Sequence, residues 1–140
     1  MSLTTCRDYL GIAKKYARDV STGKVFACKW VKLACKRQTE DLKKYARSGL
    51  YEWSKEEAGR ICRFIELLTH TKGELAGQRV VLEPWQIFIL TTVFGWRRRA
   101  DGGRRFRRVY IEVPRGSGKS TLSSGVALYC LLADHEPGAE

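Results

Sequence analysis

Proline, methionine and histidine are scarce in this 140-residue chain, with three, one and two copies. No apolar run approaches the roughly 18 residues needed to cross a bilayer, so no membrane span is expected. A secretory leader is not evident either, because Arg7, Asp8, Lys14 and Lys15 interrupt every early apolar stretch. These absences together point to a cytosolic protein. The five cysteines, at 6, 28, 35, 62 and 130, are odd in number and the closest pair is seven apart. Neither a disulfide framework nor a Cys-x-x-Cys metal knuckle is available to them, which leaves reduced, partly buried thiols. His70 and His135 stand alone and read as solvent-facing or core histidines, not catalytic ones. Acidic residues are also short: 15 against 26 basic ones, for a net charge of +11. A surplus of that size on one domain attracts polyanions, nucleic acid first among them.

What is present is a glycine turn between an apolar run and a helical pattern. Val109-Tyr110-Ile111-Glu112-Val113 reads as a buried strand, Pro114-Arg115-Gly116-Ser117-Gly118 as a turn, and Lys119-Ser120-Thr121 as the start of a helix carrying Leu122, Val126, Leu128, Leu131 and Leu132. Glycines at 116 and 118 allow backbone amides to point inward at an anion, and the helix start adds the positive end of its dipole. In a phosphate-binding loop Lys119 reaches the β- and γ-phosphates and the Ser120 hydroxyl ligates Mg²⁺. The full G-x-x-x-x-G-K-[ST] pattern wants glycine where this chain has Val113. Gly118, Lys119, Ser120 and their strand-turn-helix setting therefore carry the assignment, against the plain alternative of a βα turn without a ligand.

The positive charge is concentrated. Arg97, Arg98, Arg99, Arg104, Arg105, Arg107 and Arg108 surround Asp101-Gly102-Gly103, with Trp96 and Phe106 at the edges. Two readings stay open here: a segment that tracks nucleic-acid phosphates through Arg104, Arg105, Arg107 and Arg108, or a connector whose arginines pair with acids elsewhere. Lys24, Lys29, Lys32, Lys36, Arg37, Lys43 and Lys44 form a second basic set, read as the wet face of a helix.

The N-terminal half, residues 1–72, reads as helical: 5–20, 24–47, and a third helix that begins after Ser54 with a Ser-x-x-Glu capping box to Glu57. Residues 73–140 read as the start of an α/β domain. A strand is expected at 79–82, a helix from Pro84 to about Gly95, a second strand at 107–114 and a helix at 119–133.

These residues resemble the large terminase subunit of tailed bacteriophages, whose chain begins with a P-loop ATPase. Three stretches carry the resemblance: Tyr16 to Val20 through Cys28 to Val31; Leu82-Glu83-Pro84-Trp85-Gln86; and Phe94-Gly95-Trp96 through Val113 to Ser120. The family places an arginine three residues before the Gly-Lys pair and tolerates loss of the first motif glycine, so Arg115 and Val113 fit it. The resemblance implies an α/β fold with a P-loop NTPase-type sheet, of which this chain holds the front part behind an N-terminal helical region. It implies ATP and Mg²⁺ as cofactors, bound by Gly116, Ser117, Gly118, Lys119, Ser120 and Thr121, with Ser120 on the metal. Gln86 would read adenine, its amide donating and accepting at once, and Arg115 would stabilise the γ-phosphate beside Lys119.

As a full-length protein, such an ATPase drives double-stranded DNA into procapsids in the host cytoplasm. It works as a homo-oligomeric motor with a small terminase subunit and the portal, and it carries a nuclease. No Walker B strand can be placed, since Asp134, Glu136 and Glu140 sit in a Pro-Gly tail. The expectation is then the front of a longer protein, able to bind ATP without turning it over and leaving sheet edges exposed. A helicase-like P-loop protein or a catalytically incomplete nucleic-acid-binding fragment is the alternative.

Overall fold

The computed structural model describes residues 7–134, and local side-chain signals set where its helices begin. The Asp8 carboxylate accepts from the Gly11 amide at 2.9 Å and opens α1 (Tyr9–Ser21), satisfying one of the amides that a helix start leaves bare. α2 (Lys29–Lys44) follows an extended Cys28. Ser54 caps α3 (Lys55–Leu67) by accepting from the Glu57 amide, as the spacing predicts. Glu83 and Gln86 form a reciprocal capping box over α4 (Pro84–Gly95), and Pro84 occupies the first turn, where its missing N–H costs nothing. α5 (Lys119–Leu132) starts at Gly118. Strand β1 (Tyr51–Trp53) pairs antiparallel with β2 (Trp96–Arg98), Glu52 opposite Arg97. Thr5, Cys6, His135, Glu136 and Glu140 lie outside the described residues.

α4 is the element against which α1 and α3 pack. Its apolar residues run around the helix, and Ile87, Phe88, Leu90 and Phe94 are all buried. One buried cluster joins Ile87, Leu90 and Phe94 to Tyr9 and Ala13 of α1, Ile61 and Ile65 of α3, and Leu122 and Tyr129 of α5. A second joins Phe88 to Ala17, Val20 and Cys35. At the end of α4 the backbone passes so close to its neighbours that a Cβ on Gly95 would stand 2.5 Å from the Trp53 ring and 2.9 Å from Ala58. Only glycine fits there. The turn lets the Gly95 carbonyl accept from the Ser54 amide at 2.8 Å, tying the start of α3 to the end of α4.

Three expected elements differ. The second helix begins at Lys29 and not at 24, because the chain turns back after α1: Gly23 adopts φ +79° and the Val25 amide donates to Asp19. Residues 79–82 form no strand. Arg79 makes an isolated bridge to Thr69, and the Leu82 amide donates to the Glu66 carboxylate at 2.9 Å, so the segment runs along the end of α3 with Val80 and Leu82 buried. Residues 107–114 also form no ladder, and among the described residues the only sheet is the β1–β2 pair. A strand needs a neighbour to hydrogen-bond, and no described segment lies alongside. Helices with a small antiparallel sheet are consistent with the α/β class, but the described residues do not build the P-loop-type sheet.

Candidate nucleotide-binding site

The turn before α5 has the backbone that the sequence predicts. Gly116 (φ +83°) and Gly118 (φ +72°) both adopt the left-handed conformation that L side chains rarely tolerate. Nothing lies within 4 Å of a Cβ placed on Gly116, so that side of the turn is open. Gly118 is the N-cap of α5 and offers no side chain to the first helical amides. Those amides are left for an external acceptor, and the helix dipole favours an anionic one. Ser117 closes the turn by donating its hydroxyl to the Pro114 carbonyl at 2.8 Å. Arg115, Lys119 and Ser120 are exposed, and Thr121 is half-buried.

Gln86 reaches this turn from α4. It is 7% exposed, and its Oε1 accepts from the Glu83 amide at 2.8 Å to complete the capping box. Its Nε2 lies 3.6 Å from where a Cβ on Gly118 would stand. The expectation that this amide donates and accepts toward a base is narrowed by that geometry: one oxygen lone pair already serves the helix start, and the NH₂ faces the loop.

Helix packing holds the turn in place. Gly125 lets α5 approach α3, with the Ile65 side chain 3.0–3.3 Å from a Cβ placed there. Tyr129 sits edge-on between Phe64 and Phe94 at 5.4 Å from each ring. α5 is therefore fixed against α3 and α4, and the loop with it. Burial in this packing raises the Tyr129 phenol pKa, and its hydroxyl finds no partner among the described residues.

The arginine segment divides. Arg97 pairs with Glu57 at 2.9 Å, Arg98 with Asp101 at 2.7 Å and Arg99 with Glu52 at 3.3 Å. Arg104 pairs with Asp134 and lies over the Phe94 ring at 4.5 Å. Arg105 pairs with Asp41 at 2.8 Å and stacks on Tyr51 at 4.4 Å, with the Trp96 and Phe106 rings at 5.2 and 5.0 Å. For Arg104 and Arg105 the connector reading describes what is seen, and their guanidiniums are turned inward. Arg107 and Arg108 are exposed. Sequence reasoning missed Asp41 and Asp134 as partners, since pairs 64 and 30 positions apart leave no local pattern. Asp134, held by Arg97 and Arg104, is committed to structure. No group of three or more potential metal ligands occurs among the described residues, and no described helix is long and apolar enough to cross a membrane.

Residues 84–140 match the family model described as terminase large subunit, ATPase domain. The matched stretch begins at Pro84, the first residue of α4, and includes Gln86, the glycine turn and α5. The resemblance first drawn from the residues is borne out over that stretch. No curated protein and no solved structure matches the chain.

Proposed function

Proceeding from residues 84–140 as a stretch of the terminase large-subunit ATPase-domain family, we propose that the chain binds ATP with Mg²⁺ in the turn before α5. In this reading it is the nucleotide-binding part of a motor that packages double-stranded DNA. The amides around Gly116 and Gly118 cradle the phosphates, Lys119 supplies counter-charge, and Ser120 with Thr121 faces the metal and phosphates. Arg115 answers charge developing on the γ-phosphate. Mg²⁺ would neutralise phosphate oxygens when bound. Arg107 and Arg108 are the arginines left open for DNA phosphates; Arg104 and Arg105 contribute stability instead. The motor's nuclease, its small subunit, its portal and its homo-oligomeric state extend the same reading.

The observation that carries this reading is the approach of the Gln86 amide to Gly118, since it joins the two separate motif stretches at one place. A base held there should be read by the Gln86 NH₂, which faces the loop. Competition binding of ATP and GTP tests it: the chain should prefer ATP, and Gln86→Ala should narrow that preference by about tenfold. An unchanged ratio in a variant that melts normally would leave Gln86 as a helix-capping residue alone.

A further inference from the structure

Glu66 lies in the last turn of α3, where the negative end of the helix dipole opposes a carboxylate. Three donors hold it there. Arg7 pairs with Oε1, the Tyr9 phenol donates to Oε2 at 2.7 Å, and the Leu82 amide donates to Oε1 at 2.9 Å. Arg7 precedes α1 and Tyr9 opens it, so one carboxylate joins α1 and α3 to the segment that leads into α4. Its side chain is only 15% exposed, and water competes little for these bonds. Burial and the bond to Glu66 raise the Tyr9 pKa, which keeps the phenol a donor.

The next amide along the chain goes to Gln86. Leu82 N–H is taken by Glu66, and Glu83 N–H, one peptide later, is taken by the Gln86 Oε1 at 2.8 Å. The Val80 amide donates to the Leu68 carbonyl at 2.9 Å, so the segment is fastened on both sides of Val81. With its oxygen on the Glu83 amide, Gln86 turns its NH₂ toward Gly118, 3.6 Å from where a Cβ there would stand. A side-chain amide pinned in this way presents its donor and remaining acceptor in one order. Released, it can turn over and present the reverse order, which suits the O6 acceptor and N1–H donor of guanine. We propose that Glu66 is a positioning residue for base selection: its carboxylate clamps the Leu82 amide, which fixes the Glu83 amide that orients Gln86. This role for Glu66 rests on Gln86 meeting the base.

Competition binding of ATP and GTP to the 140-residue chain, with Mg²⁺-tripolyphosphate as a base-free probe of the loop, tests it. Glu66→Ala removes the clamp, and Glu66→Met removes it while filling the same space, so that one reports should the other fail to fold. Each should narrow the ATP preference by about fivefold or more and change tripolyphosphate affinity by less than about twofold. Glu66→Gln keeps an oxygen for the Leu82 amide and should hold the preference within about twofold of the parent. Adding Glu66→Ala to Gln86→Ala should narrow it no further, because both act through one side chain. An unchanged preference in Glu66→Ala and Glu66→Met, beside a narrowed one in Gln86→Ala, would overturn the positioning role and leave the base contact standing. An unchanged preference in Gln86→Ala would remove both. Tripolyphosphate affinity that falls in step with ATP in the Glu66 variants, or a Glu66→Gln protein as unselective as Glu66→Ala, would also overturn it.

Discussion

Arg105 and Arg108 stand three positions apart in one arginine-rich stretch and meet opposite fates. Arg105 is clasped by Asp41 and four aromatic rings, whereas Arg108 faces solvent. The difference lies in what is nearby. Residues up to Phe106 fold back over β1, β2 and α2, where acids and rings from distant sequence are available; residues 107–118 have no such cover. Charge composition alone reports the same attraction to polyanions for both. The fold divides them into a packed frame and an open strand and loop, and each half of that contrast can be tested.

The largest effect belongs to the frame at high pH. Burial pushes the Cys35 thiol up to about 11 and the Cys62 thiol up to about 12. A pKa raised by folding means that the folded state keeps its proton while the unfolded thiol, near 8.5, loses it. Stability is therefore full below about pH 8.5 and falls as pH rises from there through 11 to 12, a loss of several kcal/mol for the two thiols together by pH 11. Urea unfolding at pH 8 and pH 11 should show that loss, and it should shrink when both cysteines are replaced by alanine. Arg105→Ala comes next. Removing the guanidinium leaves Asp41 unpaired in a site where both side chains are about 15% exposed, and should cost about 3 kcal/mol in the same assay.

Tyr129→Phe sharpens the frame more gently. The phenol oxygen is buried without a partner among the described residues, so its removal should leave stability unchanged or raise it by up to about 1 kcal/mol. The smallest effect on stability belongs to the open half. Replacing Arg107 and Arg108 with alanine should shift unfolding by less than about 0.5 kcal/mol while weakening DNA binding and flattening its salt dependence. Equal destabilisation by this pair and by Arg105→Ala would erase the division between frame and open strand.

Local chemistry was legible in the sequence wherever a signal acts over a few residues. Ser54 and Glu57, Pro84, and the glycines at 116 and 118 each set a helix start or a turn where their spacing predicts it. The Gly-Lys-Ser turn and the Gln86 stretch could be read separately, but their meeting could not. It depends on α5 seating Gly125 on Ile65 and Tyr129 between two rings, contacts whose partners lie 60, 65 and 35 positions away. Residues 79–82 and 107–114 were misread for one reason: β-branched alternation marks a segment fit to be a strand, while a strand exists only where a neighbour hydrogen-bonds to it. β1 and β2, three residues each, were missed because so short a pair is set by Trp53 and Trp96 stacking at 5.3 Å across the chain, not by any local run.

Calorimetric titration of ATP with Mg²⁺ into the chain and into Lys119→Ala tests the central claim most directly. Lys119 is exposed at the first position of α5, so its replacement should leave the fold intact and remove the main counter-charge to a bound triphosphate. Measurable binding by the parent chain, with affinity at least about tenfold lower in the variant, is the predicted result. No binding by the parent, or equal affinity in the two proteins, would contradict a phosphate-binding loop at residues 114–121.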